Sequence, residues 1–160
     1  QGIGRTFQLV KIFSDMTVIE NIMAGTHLYA RNLREATSKA DEIVEFLRFE
    51  HIKNEKTSNL TLAQQKQVEL GRALATKPKL LLLDELITGL NQVETQEMLE
   101  ILKKVRGTGI NIIFIEHIME AVKSLSDKVM VINFGNKIAE GSASEVMNDP
   151  KVIEAYLGGE

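Results

Sequence analysis

The chain of 160 residues is long enough for one domain with a real core, and 44% hydrophobic with 26% charged residues is ordinary globular composition, neither disordered nor fibrous. A formal charge of −3 leaves no basic footprint, so no nucleic-acid partner is expected, and the lack of cysteine removes disulfides and thiolate metal sites. No apolar run reaches the roughly 20 residues of a membrane-crossing helix, so any membrane contact must come through a partner, and the opening Gln1-Gly2, without Met, reads as a fragment or a processed product.

The stretch 2–8 carries β-favouring residues at Ile3, Thr6 and Phe7 and predicts a strand ending on Gln8. The side-chain carbonyl of Gln8 suits a water or a magnesium ion, although a surface glutamine is the simpler reading of that residue alone. Thr17 and Glu20 make a capping box and predict a helix over 18–30 with Ile19, Ile22 and Met23 inward. A second helix is expected over 33–48, with Ile43, Val44, Phe46 and Leu47 as its apolar stripe and Glu35, Lys39, Asp41 and Glu42 on the wet side. Residues 51–59 are polar and read as a loop, and His51, without other metal ligands nearby, reads as a surface histidine. Thr61 and Gln64 form another capping box and open a helix to residue 75. Its start offers free amides and the positive end of the helix dipole to an anion such as phosphate, but every helix has such an end.

Leu80-Leu81-Leu82-Leu83-Asp84-Glu85 places apolar residues between Pro78 and Thr88-Gly89. It predicts a short strand buried on both faces, as in a parallel sheet covered by helices. Open α/β sheets bind ligands beyond the carboxyl ends of their strands, which makes Asp84 a magnesium holder and Glu85 a water activator. A core strand running into a solvated acidic turn fits the same residues. Asn91 and Glu94 start the next helix, which Val93, Met98, Leu99, Leu102 and Val105 carry to residue 106. Residues 110–115 are a β-branched run followed by Glu116-His117. Strand, helix and strand in that order, with ~25 residues between the runs, make a βαβ unit with parallel strands. His117 is thereby expected at the same sheet edge as Asp84 and Glu85. A short helix over 119–125 leads to a strand over 128–134, a hairpin turn at Gly135-Asn136 and an antiparallel return over 137–141. Ser142 and Glu145 cap a helix, Pro150 opens the last one, and Val152, Ile153, Tyr156 and Leu157 are expected to dock the tail.

Gln8 after a strand, a helix start at 60–64, the run ending Asp84-Glu85, Leu90-Asn91 and His117 occur in the order of the nucleotide-binding subunit of ABC transporters. The resemblance covers essentially the whole chain. It implies an α/β fold, the P-loop NTPase (ABC ATPase) core with an inserted α-helical subdomain. The implied divisions are a Q-loop region over 1–15, a helical subdomain with the signature helix over 16–76, and Walker B, D-loop, H-loop and the carboxyl-terminal part of the core over 77–160. It makes Gln8 the Q-loop glutamine, Leu60-Thr61-Leu62-Ala63-Gln64 the signature sequence, Asp84 the Walker B acid, Glu85 the catalytic glutamate, Asn91 the end of the D-loop and His117 the switch histidine. ATP and Mg2+ would be the cofactors, Asp84 with Gln8 organising magnesium and water, Glu85 polarising the water and His117 contacting the γ-phosphate. The implied partners are a second ATPase subunit, whose nucleotide the signature helix completes, and transmembrane permease subunits received by the helices between Gln8 and Thr61. Such a protein is peripheral, at the cytoplasmic face of the cell membrane. Residues 2–8 with 16–21, and the ending Ala155-Tyr156-Leu157-Gly158, are most similar to importers of branched-chain amino acids.

Four positions depart from the family. Thr61 keeps the hydroxyl of the usual serine, Ala63 stands where a glycine lets backbone approach phosphate, Leu86 replaces a proline and loosens the turn after Glu85, and Asn91 replaces the commoner aspartate. A larger departure is that no glycine is followed, after four intervening residues, by Gly-Lys-Ser or Gly-Lys-Thr. The resemblance therefore implies a core lacking its amino-terminal P-loop portion, the carboxyl-terminal two-thirds of a subunit that hydrolyses ATP when intact and is inactive alone. A catalytically inert binding module for membrane subunits, or the ATPase subunit of a related exporter, are the alternatives. The family's P-loop strand lies between the strands at 112–115 and 129–134, so a break in the sheet is expected there.

Overall fold

The computed structural model describes residues 2–157. The side chain of Leu157 and all of Gly158, both invoked above for the tail, lie outside the described part. The chain divides into two compact units, one ending at Glu116 and one beginning at His117.

In the first unit the elements run β1 (Ile3–Arg5), α1 (Val18–Thr26), α2 (Leu33–Phe46), α3 (Leu62–Leu74), β2 (Leu80–Asp84), α4 (Gln92–Gly107) and β3 (Asn111–Ile115). Local signals set the helix ends. Thr17, Thr61 and Asn91 accept from the third helical amide while Glu20, Gln64 and Glu94 reach back to the cap amide, the reciprocal pattern expected of each box. α1 stops at Thr26, short of residue 30, because the amides of Tyr29 and Ala30 close onto the Thr26 carbonyl. α2 ends two residues early as Arg48 turns left-handed.

The three helices between β1 and β2 share a core of their own in which Val18, Ile22, Ala40, Val44, Leu47 and Val68 are buried. Of the apolar stripes read from the sequence, Ile19, Met23, Ile43 and Phe46 form only its rim. The small Ala36 and Ala40 sit deeper, because α1 and α2 pack closely against each other. The crossing of α1 and α3 is tighter still. A Cβ on Gly25 would stand 2.3 Å from the Arg72 carbonyl oxygen, so only glycine fits there.

β1, β2 and β3 form a parallel sheet in that order, with Arg5, Leu82 and Ile113 in one row and Asp84 beside Ile115 in another. Leu81 and Leu83 are buried, but Leu80 and Leu82 are only half-buried, and Ile113, opposite Leu82, and Ile115, opposite Asp84, are 57% and 63% exposed. Burial on both faces, expected from the leucine run, is thus found on one. Side chains alternate along a strand, and the described helices cover a single side.

The second unit holds α5 (Met119–Leu125), β4 (Val129–Asn133), β5 (Asn136–Gly141), α6 (Ala143–Met147) and α7 (Pro150–Leu157). β4 and β5 pair as an antiparallel hairpin whose core is Val131 with Val146 and Val152. The turn is Phe134-Gly135, one residue earlier than expected, with φ of 45° and 78°. Both central positions of this turn are left-handed, a conformation that composition rules give to Asn, Asp or Gly and not to Phe. Of the three tail residues whose side chains are described, Val152 is buried and Ile153 and Tyr156 are exposed. The described strands form two sheets, β1-β2-β3 in the first unit and β4-β5 in the second.

Candidate nucleotide site

β1 runs parallel to β2 and ends opposite Leu82, so the residues that follow it, Gln8 among them, lie near Asp84 and Glu85 at the carboxyl end of β2. Gln8 Nε2 donates to Glu85 Oε2 at 2.9 Å. Asp84 Oδ2 lies 3.5 Å from the Arg5 guanidinium, both partly exposed, so the pair adds little stability but holds a cation beside the carboxylate. Arg5 was not singled out from the sequence. No local signal marks it, because its place opposite Leu82, two residues before Asp84, exists only once β1 pairs with β2.

Glu85 is left-handed, φ 46°, a rare conformation for a side chain other than glycine. Its surroundings fix it there. The Glu85 amide donates to the Ile115 carbonyl at 3.0 Å, extending the β2–β3 ladder by one residue. Lys66 Nζ, on α3, donates to the carbonyls of Glu85 and Thr88 at 3.1 and 2.7 Å. Glu116 Oε1 accepts from the Ile87 amide at 2.8 Å. Leu86 and Ile87 are buried. The turn that Leu86 was expected to loosen is therefore tied on two sides.

Thr61, Gln64 and Asn91 use their side chains as helix caps, Thr61 Oγ1 accepting from the Gln64 amide at 3.3 Å and Asn91 Oδ1 from the Glu94 amide at 3.0 Å. Leu62 is exposed, and its Cδ2 would lie 3.5 Å from a Cβ on the left-handed Gly89 of the loop following β2. Ala63 is buried, so its methyl does not stand at the open helix start. His117 is the first residue of the second unit and is exposed. Among the described residues no three His, Asp or Glu side chains are gathered as a metal cluster. Asp84 and Gln8 nonetheless offer the hard oxygen donors that suit Mg2+, an ion that takes one or two protein oxygens and fills the rest of its shell with water and phosphate.

The charged residues of α3 were missed altogether. Burial pulls the Lys66 ammonium below the ordinary lysine range, against the pull of Glu116, Glu69 and Glu85. Burial likewise raises the Glu69 carboxyl, against the amides of Lys11 and Phe7 and the cations Arg72 and Lys66. Their legible sign was three charges at a helical spacing in a segment otherwise rich in Val, Leu, Gly and Ala.

Residues 1–88 match the family described as ABC transporter, and residues 136–160 the one described as branched-chain amino acid ATP-binding cassette transporter. The high-affinity branched-chain amino acid transport ATP-binding protein LivG of Salmonella typhimurium is 36% identical over 173 residues, 98% of this chain and 68% of its own length. The chain belongs to the ABC transporter ATP-binding proteins. BraF of Pseudomonas aeruginosa, with the same description, is 33% identical across 99% of this chain and 68% of its own. A solved ABC cassette in its ADP conformation superposes with a TM-score of 0.84 at 33% identity, covering 99% of this chain and 69% of that one. A nucleotide-free cassette gives the same TM-score at 32% identity, covering 97% and 68%. Both the P-loop NTPase fold of ABC ATPases and nucleotide binding follow from this membership. Intact subunits of the family are ATPases. No helix among the described residues is long and apolar enough to cross a membrane.

Proposed function

We propose that Gln8, Asp84 and Glu85 belong to the hydrolytic site of an ATPase that powers uptake of branched-chain amino acids through a membrane permease. The observation that carries this reading is the 2.9 Å hydrogen bond between the Gln8 amide and the Glu85 carboxylate. It joins an orienting group and a base at the carboxyl ends of parallel strands, the position at which open α/β sheets bind their ligands. Glu85 takes the proton of a water aimed at the γ-phosphate, and Gln8 aligns that water. Asp84 and the Gln8 amide would hold Mg2+, which supplies charge neutralisation at the phosphates. The Arg5 guanidinium beside Asp84 supports the reading of this spot as one suited to positive charge.

Thr61, Leu62, Ala63 and Gln64 present the positive end of α3 to the nucleotide of a second ATPase subunit, Asn91 borders that interface, and His117 contacts the γ-phosphate. The buried methyl of Ala63 supports this assignment, since it leaves the helix start open. The functional divisions are a Q-loop region over 1–15, a helical subdomain over 16–76 that receives the permease subunits, and the core over 77–160. Through those partners the protein works at the cytoplasmic face of the membrane.

In a form that carries the glycine-rich phosphate loop, Glu85→Gln lowers ATP turnover by about 10²–10⁴-fold and keeps nucleotide binding. Undiminished turnover refutes the role. A second reading is an inert module that docks on membrane subunits. Calorimetry on the chain decides it, because micromolar affinity for ATP excludes an inert module.

A further inference from the structure

Lys66, Glu69 and Arg72 stand three residues apart and so share one face of α3. Lys66 is 4% exposed and Glu69 1%. Buried charges persist only where partners offset their desolvation. The partners here are two loops. Lys66 donates to the carbonyls of Glu85 and Thr88, at 3.1 and 2.7 Å. Glu69 Oε1 accepts from the Lys11 amide at 3.0 Å, and Arg72 donates to the Lys11 carbonyl while standing 3.9 Å from Glu69. The Lys11 and Phe7 amides and the Arg72 and Lys66 cations all favour the charged form of the Glu69 carboxyl against its burial. One loop therefore starts with Gln8, the other with Glu85, and both hang from the same helix face.

The geometry points to α3 as a latch: Lys66, Glu69 and Arg72 are positioning residues that fix where the Gln8 amide and the Glu85 carboxylate stand. A displacement of the helix whose start meets nucleotide then moves both groups together. The mechanism is a rigid one, because each loop is gripped at its backbone atoms, and the helix side chains Lys66 and Glu69 that grip them are buried. This inference rests on Glu85 being the water activator, but its first readout does not.

The test is amide hydrogen exchange on the full chain, with steady-state ATP hydrolysis measured on a form carrying the phosphate loop. Lys66→Met removes both carbonyl contacts and keeps the stem. Exchange at 86–90 rises roughly tenfold or more while 9–12 stays protected, and kcat falls about tenfold with KM for ATP changed less than twofold. Lys66→Arg restores protection and most of kcat. Glu69→Leu has the converse pattern, opening 9–12 and sparing 86–90. Where Lys66→Met fails to fold, Lys66→Gln, which keeps a shorter donor, carries the same expectation at smaller size. Wild-type exchange at 86–90 in the folded Lys66 variants, or a loss spread evenly over both loops, overturns the latch. Normal turnover in Glu85→Gln instead overturns the assignment of Glu85 and leaves the exchange result standing as the judge of the latch.

Discussion

Glu85, after β2, and Phe134, after β4, share one backbone peculiarity, left-handed φ values of 46° and 45°. For a residue with a side chain this costs roughly 1–2 kcal/mol. Around Glu85 the cost is met by a ladder bond to Ile115, two carbonyl contacts from Lys66, the Glu116 contact to the next amide but one, and the Gln8 amide. Around Phe134 there is the tight turn and one side-chain contact, Asn136 Nδ2 donating to its carbonyl at 3.3 Å, and its ring is 97% exposed. Equal strain has therefore two meanings. It sits idle where the chain merely has to turn back, and it aims a carboxylate where several elements converge to hold it.

The largest expected effect tests what the aimed carboxylate does, the loss of turnover in Glu85→Gln described above, read in a coupled ATP hydrolysis assay. The next tests the scaffold behind it. Gly25→Ala would drive a methyl into the Arg72 carbonyl, and separating α1 from α3 costs about 2–3 kcal/mol, measured by chemical unfolding. Phe134→Asn should go the other way, raising stability by about 0.5–1 kcal/mol, since Asn-Gly is the preferred pair for this turn. A gain there, beside a loss of function at Glu85 with any replacement, sharpens the contrast between the two strand ends. The smallest effect is one of pH. Hydrogen bonds from Lys128 and then Lys137 hold the Glu140 carboxyl down to about 2 from 4.5. Because the folded value lies below the unfolded one, the contribution is complete above 4.5 and fades as pH falls toward about 2. The pair is at the surface, so salt weakens it, and hairpin amide exchange in Glu140→Gln should lose this pH dependence.

What was legible in the sequence is what depends on neighbours in the chain. The caps at Thr17, Thr61, Asn91 and Ser142 were readable because donor and acceptor lie three residues apart. The parallel pairing of β2 with β3 was readable from the intervening helix. The hairpin register slipped by one residue because Phe134 is an unlikely occupant of a left-handed position, and nothing local announces it. The bracing of the Glu85 loop was hidden for a different reason: Lys66 reaches carbonyls 19 and 22 residues away and Glu69 an amide 58 residues away. Backbone acceptors leave no mark in the sequence, so such contacts surface only once the chain is folded. The pairing of Gln8 with Glu85 needed the adjacency of β1 and β2, which strand order along the chain did not supply.

The outer edge of β3 has consequences for handling the protein. Ile113 and Ile115 lie bare beside backbone groups that no neighbouring strand engages among the described residues. Such a border is a template for strand addition from any chain that passes, a second copy included. Colloidal shelf life should therefore shorten with concentration, and a lysine at position 113 or 115, facing solvent on that border, should lengthen it.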